Sequence, residues 1–323
     1  MKKINPCKMI NKICGTIIFL FCAGFVLGQT KPMFSQYMFN MLVANPAYAG
    51  IRNSTSFTAL YRRQWVGVPG APNTSTIAAD FRQPGNNWGF GAHIYNDGIG
   101  IEKTAGIQLN VAKHFIIDPK SNPINNPLML SLGISGGVMN YKANFTSVQT
   151  IVPGDPAFNT VINAWAPTAG MGLILSRGNW YVGISLPTAL KVTFLSNNQK
   201  SVTSLLSESE VFTTAGVVLG NPESNIKWKP SIMYRLTSGA PATVDLNMNA
   251  WYEDLISVGF SYRTSDAFIG LVELRLSPQI RMGYAYDYTR SVLNINSRGT
   301  HEFMLRFDLG QKGEPIRSPF RDN

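Results

Sequence analysis

Gln279-Ile280-Arg281-Met282-Gly283-Tyr284-Ala285-Tyr286-Asp287-Tyr288 decides the fold. Ile280, Met282, Tyr284, Tyr286 and Tyr288 alternate with Arg281, Gly283, Ala285 and Asp287. Successive side chains of a strand point to opposite faces, so this stretch reads as a strand with one greasy and one polar face. Downstream, Phe303, Leu305, Phe307 and Leu309 alternate with Glu302, Met304, Arg306 and Asp308. Upstream, Trp228, Ile232, Tyr234 and Leu236 alternate with Lys229, Ser231 and Arg235, and Phe57, Ala59, Tyr61 and Trp65 with Thr58, Arg62 and Gln64. In a soluble sandwich such a greasy face meets a second sheet. In a membrane barrel it meets lipid, and the polar face lines the lumen.

Length and spacing favour the barrel. Candidate strands cover 54–66, 73–82, 87–96, 104–115, 127–139, 163–176, 179–187, 210–220, 227–237, 242–252, 255–263, 267–276, 279–288 and 300–309, which makes 14. Most are near the ten residues a tilted strand needs to cross hydrocarbon, against about five or six in soluble sheets. With both termini periplasmic, connections after even strands face the periplasm. Those at 82–86, 177–179, 221–226, 253–254 and 277–278 are tight and rich in Pro, Asn, Gly or Asp. The long ones, about 140–162, 188–209 and 289–299, follow odd strands. Short periplasmic turns and longer outer loops mark outer-membrane barrels. The stretch 116–126 is the exception, long for a periplasmic turn. The expected fold is all-β, a transmembrane antiparallel β-barrel of about 14 strands over 54–309 with a plug-like N-terminal segment.

Composition agrees. Of 323 residues, 45% are hydrophobic and only 14% charged, against about 25% charged in a typical soluble domain. Disorder needs the opposite balance. After residue 28 no apolar run approaches the roughly 18 residues of a membrane helix. Residues 1–28 read as a cleaved signal peptide: Lys2, Lys3, Lys8 and Lys12 precede the apolar stretch 13–27, with cleavage expected after Gly28. Phe21 before Cys22 is too bulky for a lipobox. Cys7, Cys14 and Cys22 all lie in this leader, so the mature chain holds no disulfide. Without the leader's four lysines, 24 basic residues face 18 acidic ones and the net charge drops from +10 to +6. That mild excess suits lipopolysaccharide or an acidic partner and not nucleic acid. Trp65, Trp88, Trp165, Trp180, Trp228 and Trp251 fall near predicted strand ends, as an interfacial aromatic girdle requires.

The order Gln36-Tyr37-Met38-Phe39-Asn40, Asn45-Pro46-Ala47-Tyr48-Ala49-Gly50, Tyr61-Arg62-Arg63-Gln64-Trp65, Pro69-Gly70-Ala71-Pro72 and Asn96-Asp97-Gly98-Ile99-Gly100 is distinctive. It resembles the PorP/SprF family, outer-membrane barrels associated with the type IX secretion system of Bacteroidetes. The resemblance is strongest over 33–115 and continues more loosely to the end. It implies a non-enzymatic accessory of secretion, integral to the outer membrane. Its implied partners are a secreted or surface protein with a C-terminal sorting domain, such as a gliding adhesin, and periplasmic secretion components. It brings no catalytic residues and no cofactor. The motif residues Gln36, Tyr37, Phe39, Asn40, Asn45, Pro46, Ala47, Tyr48, Gly50, Arg62, Gln64 and Trp65 are its candidate partner contacts. A channel or transporter for small or hydrophobic molecules is the alternative, suggested by the strand count.

The N-terminal motif also has a physical reading. Asn45-Pro46 imposes an extended or turn conformation, and Gly50 gives backbone freedom before strand one. Residues 29–53 hold Phe34, Tyr37, Met38, Phe39, Met41, Leu42, Val43 and Tyr48, with Lys31 and Arg52 as their charges. So apolar a segment is expected to enter the barrel mouth as a plug, to seal its base, or to pack on a periplasmic partner. The tail 310–323 is polar and carries Pro315 and Pro319; many barrels end instead on an aromatic of the last strand.

Reactive chemistry is sparse. His93, His114 and His301 lie on different predicted strands without metal-ligand spacing. Gly133-Ile134-Ser135-Gly136 lacks the Gly-x-Ser-x-Gly spacing. Gly89-Phe90-Gly91, Gly98-Ile99-Gly100 and Gly170-Met171-Gly172 open no helix and read as close packing in strands. Asp97, Gly98 and Glu102 suggest calcium less than a turn. Arg62, Arg235, Glu273, Arg275, Arg281, Asp287, Arg306 and Asp308 fall on inward faces, as lumen ion pairs or as substrate contacts. Fourteen strands enclose more space than eight, whose side chains fill the interior. The lumen is therefore plugged, occupied or open.

Overall fold

The computed structural model describes residues 34–52, 54–118, 127–148, 158–190, 194–195, 201–202, 209–220, 224–238, 240–264, 266–290 and 295–310. The leader 1–28, residues 119–126 of the 116–126 stretch and the tail from 311 lie outside them. The strands are β1 (Ser54–Arg63), β2 (Asn73–Arg82), β3 (Trp88–Ile99), β4 (Glu102–Ile116), β5 (Met129–Asn144), β6 (Val161–Arg177), β7 (Trp180–Leu186), β8 (Glu210–Val217), β9 (Ile226–Thr237), β10 (Thr243–Tyr252), β11 (Ile256–Arg263), β12 (Ala267–Arg275), β13 (Ile280–Thr289) and β14 (Thr300–Gly310). Each pairs antiparallel with its chain neighbours, and β1 pairs with β14 to close the barrel, with Phe57 opposite Phe307 and Arg62 opposite Glu302. Residues 194–195 and 201–202 form a separate two-stranded pair.

The alternation seen in the sequence sets the two faces. On β1, Ser56, Thr58 and Arg62 are buried inward while Phe57 and Tyr61 are exposed on the outer wall. On β14, Glu302, Arg306 and Asp308 point in, and Phe303, Leu305, Phe307 and Leu309 point out. A lipid-facing wall explains so many exposed large apolar side chains on one sheet surface.

Several expectations need correction. β1 stops at Arg63, because Trp65 adopts a left-handed φ of 46° and turns the chain. β3 to β6 run longer than expected, so the loop placed at 140–162 begins after Asn144 and ends before Val161. Long connections do not mark the loop end uniformly: β3 and β4 are joined there by Gly100 and Ile101, with Gly100 at φ 56°. Asn96-Asp97-Gly98 is thus strand, not turn, and Asp97 faces inward and accepts from Thr74 Oγ1. Among the described residues no cluster has the makings of a metal site. Trp251 is no girdle residue. It is buried in the lumen, with Lys229 Nζ 5.3 Å from its ring centre. Trp88, Trp165 and Trp228 do face outward and are exposed.

The core sits inside the barrel. Tyr37–Phe39 and Pro46–Tyr48 form 3-10 turns flanking one α-helical turn, Met41–Ala44. Met38, Met41, Leu42, Ala47, Tyr48 and Ile51 are buried, in one cluster with inward residues such as Ile174, Met233, Ile269, Leu271 and Met304. The N-terminal segment is a plug. A smaller cluster of Met139, Tyr141, Ala143, Ile162 and Ala166 lines the extended part of β5 and β6.

Candidate functional site

The plug crosses the lumen from the loop end to the turn end, and each end is held by buried charge. At the loop end Glu302 accepts from the Ser35 and Gln36 backbone N–H groups at 2.8 and 2.7 Å and from Arg62 Nη1 at 2.9 Å. Arg62 also donates to Ser35 Oγ at 2.9 Å and through Nη2 to Asp287 at 2.8 Å. Ser35 Oγ donates to Asp287 at 2.7 Å. Arg263 lies beside this group and grips Asp245 through two bonds of 2.8 and 2.9 Å. Plug, β1, β10, β11, β13 and β14 therefore meet in one ionic cluster across the seam that closes the barrel. Burying charges is costly unless they are paired and hydrogen-bonded, and here the plug backbone supplies two of the donors.

In the middle, the plug fits a groove built from the smallest side chains. Gly89, Ala112, Gly133, Gly172 and Ser185 stand opposite one another in register, one from each of β3 to β7. A Cβ at Gly89 would overlap the Ala49 carbonyl, one at Gly133 the Ala47 backbone, and one at Gly172 the Asn45 side chain. Ser185 Oγ donates to the Ala44 carbonyl at 2.7 Å. The plug chain thus lies directly on the sheet along this row. Asn45 fixes its shape: its Oδ1 accepts from Ala47 N–H at 2.9 Å, and its Nδ2 donates to the Leu173 and Ile184 carbonyls at 3.3 and 3.4 Å. Pro46 then starts the 3-10 turn, where a missing N–H costs nothing. Gly50, at φ 62°, turns the chain against the β2 backbone, where a Cβ would collide with the Phe81 carbonyl.

At the turn end Arg52 pairs with Asp80 at 3.5 Å and Asp308 at 3.7 Å, and its guanidinium lies 5.4 Å from the Tyr48 ring centre. Burial pushes the Tyr37 and Tyr48 hydroxyls up. Both stay neutral, and Tyr37 accepts from Asn247 Nδ2 at 2.6 Å.

The residues singled out in the sequence are distributed over this arrangement. Gln36, Tyr37, Phe39, Asn40, Asn45, Pro46, Ala47 and Tyr48 are all buried in the plug. Arg62, Asp287, Arg306 and Asp308 face the lumen and are buried. Gln64 lies just beyond β1, its N–H donating to the Pro72 carbonyl, and Trp65 N–H donates to Thr300 Oγ1. Arg281 and Glu273 pair at 3.3 Å, and Asp254 bridges Arg281 to Arg275 at the turn-end rim. Arg235 also faces the lumen and is buried, near the loop end. Sequence reasoning missed Glu302 as the plug's anchor, and Arg263, Asp245 and Asp80 altogether. It also missed that the glycines of β3, β5 and β6 form one row. The readable signal was a glycine at an inward position on three of four successive strands.

Residues 26–307 match the family described as type IX secretion system membrane protein PorP/SprF. The chain belongs to this family. The match spans plug and barrel together, so the PorP/SprF chain is an outer-membrane protein of the type IX secretion system, a structural or transport component. No individually curated protein matches it. Among solved structures it is similar to the outer membrane protein Omp33 of Acinetobacter baumannii, with a TM-score of 0.45, 9% identity and coverage of 81% of this chain and 100% of that one. It is also similar to a TodX monoaromatic hydrocarbon channel variant, at 0.44, 10%, 87% and 95%, and to the CymD channel, at 0.40, 10%, 88% and 95%.

Proposed function

We propose that this PorP/SprF barrel assists the export or surface anchoring of a partner protein with a C-terminal sorting domain, in the manner of a gliding adhesin. It acts with periplasmic secretion components and reaches the outer membrane through a cleaved leader. The observation that carries this reading is the plug. A solute channel needs an open lumen, and here the chain's own residues 34–52 block it with packed apolar side chains and paired charges. The motif residues between Gln36 and Gly50, with Arg62, are spent on that packing. They act on the partner indirectly, by holding the barrel shut and its rims in shape, and the partner sits on the loop-end surface.

The test is co-purification from outer membranes in mild detergent through a C-terminal tag. A large secreted protein with a C-terminal sorting domain, or periplasmic secretion components, is the expected companion. A barrel that purifies alone, from cells whose secreted proteins still leave after gene deletion, overturns the reading and restores the transporter alternative.

A further inference from the structure

Lys103 and Lys142 stand directly opposite one another on β4 and β5, both exposed on the outer wall. Like charges facing each other across two strands destabilise a sheet, and nothing on this face offsets them. Among the described residues neither lysine has a hydrogen bond or an ion pair. Their neighbours in the row, Gly98 and Asn163, are uncharged. Glu102, next in the chain, turns to the other face beside Tyr141. Other outward cations are engaged: Lys113 Nζ lies 4.7 Å from the Trp88 ring centre and the Arg290 guanidinium 5.1 Å from that of Phe268.

The pair also stands at a defined height. Lys113 marks the turn-end edge of the wall, where it reaches Asn86 of the β2–β3 turn. Between it and Lys103 the outward residues of β4 are Ala105, Ile107, Leu109 and Val111, all apolar. At about 3.4 Å per residue and a tilt of about 40°, the ten residues from Lys113 to Lys103 rise about 26 Å, the height of a barrel's apolar band. Lys103 and Lys142 therefore meet the headgroups at the loop end. One row toward the membrane centre Trp165 is 71% exposed, as an interfacial indole is. Below it Ile107, Val138 and Pro167 form an exposed apolar row, and Gly136 leaves open space where a Cβ would stand.

We propose that Lys103 and Lys142 together bind the phosphate of a lipid of the lipid A class in the outer leaflet, whose acyl chains run down the wall past Ile107 and Val138. The site rests on the loop end facing outward, as the short turns at the other end require, and not on the function proposed above.

Purified full-length protein in mild detergent is titrated with monophosphoryl lipid A, with the same lipid stripped of its phosphate, and with phosphatidylglycerol, and bound lipid is counted by native mass spectrometry. One phosphorylated lipid A per barrel is expected, held about tenfold more tightly than the stripped lipid, as charge-assisted hydrogen bonds allow. The double variant Lys103→Gln/Lys142→Gln should lose that preference, and Lys113→Gln at the opposite edge should keep it. Millimolar inorganic phosphate should not release the lipid, since its chains are held as well. Equal retention of stripped and phosphorylated lipid, equal retention of phosphatidylglycerol, release by inorganic phosphate, or an undiminished preference in the double variant overturns the proposal. The wild-type comparisons decide even where the variant fails to fold.

Discussion

Asn45 shows how one side chain couples local shape to the whole barrel. It caps the Pro46 turn and at the same time bonds carbonyls of β6 and β7, and it has room to do so because residue 172 is glycine. Gly172→Leu should therefore expel the plug turn. Overpacking of this kind costs about 1–3 kcal/mol, read as a lower unfolding temperature, and the displaced turn should make the lumen leak ions. Glu302→Gln tests the upper anchor. It leaves Arg62 with Asp287 and weakens three charge-assisted contacts, and breaking such a buried pair costs about 3–5 kcal/mol. Proteolysis of the plug in the folded barrel should speed up accordingly, and unchanged protection contradicts the anchoring role. At this scale the sequence was half legible. Inward charges were readable because alternation assigns each residue a face. Their partners were not, because Arg62 meets Ser35, Asp287 and Glu302 only through the closing seam, and no local pattern encodes that register.

At the scale of elements, the strands were legible nearly throughout, since lipid on one side and a polar lumen on the other impose a strict period of two. Errors fell where that constraint ends. β3 to β6 continue past their expected bounds, and there Asn140 and Lys142 replace apolar residues on the outer face. Trp251 was misassigned because position near a strand end says nothing about inward or outward. The plug's burial followed from its composition, but its path did not. That path rests on the row Gly89, Ala112, Gly133, Gly172 and Ser185, which exists only once five strands are in register. Deleting residues 34–44 should remove the loop-end anchor and leave the barrel with an open, water-filled upper lumen. Partner export should fall with it; export that is unchanged counts against a functional plug.

At the scale of the molecule, the barrel is closed twice, by β1 against β14 and by a segment tied to both. The ionic cluster of Arg62, Asp287 and Glu302 lies across that seam, so plug docking and barrel closure should be cooperative. Thermal unfolding followed by tryptophan emission, with Trp251 inside and Trp165 outside, should show one transition in the intact chain and two in Gly172→Leu. A plugged barrel leaves its rims and outer wall for protein contacts, which is why a secretion role follows from this interior better than solute transport does. The central claim is that the lumen is shut by its own chain. Single-channel recording of the purified full-length protein in planar bilayers tests it most directly. A silent wild type beside a conducting Gly172→Leu variant is the predicted result; steady conductance from the wild type would contradict the account.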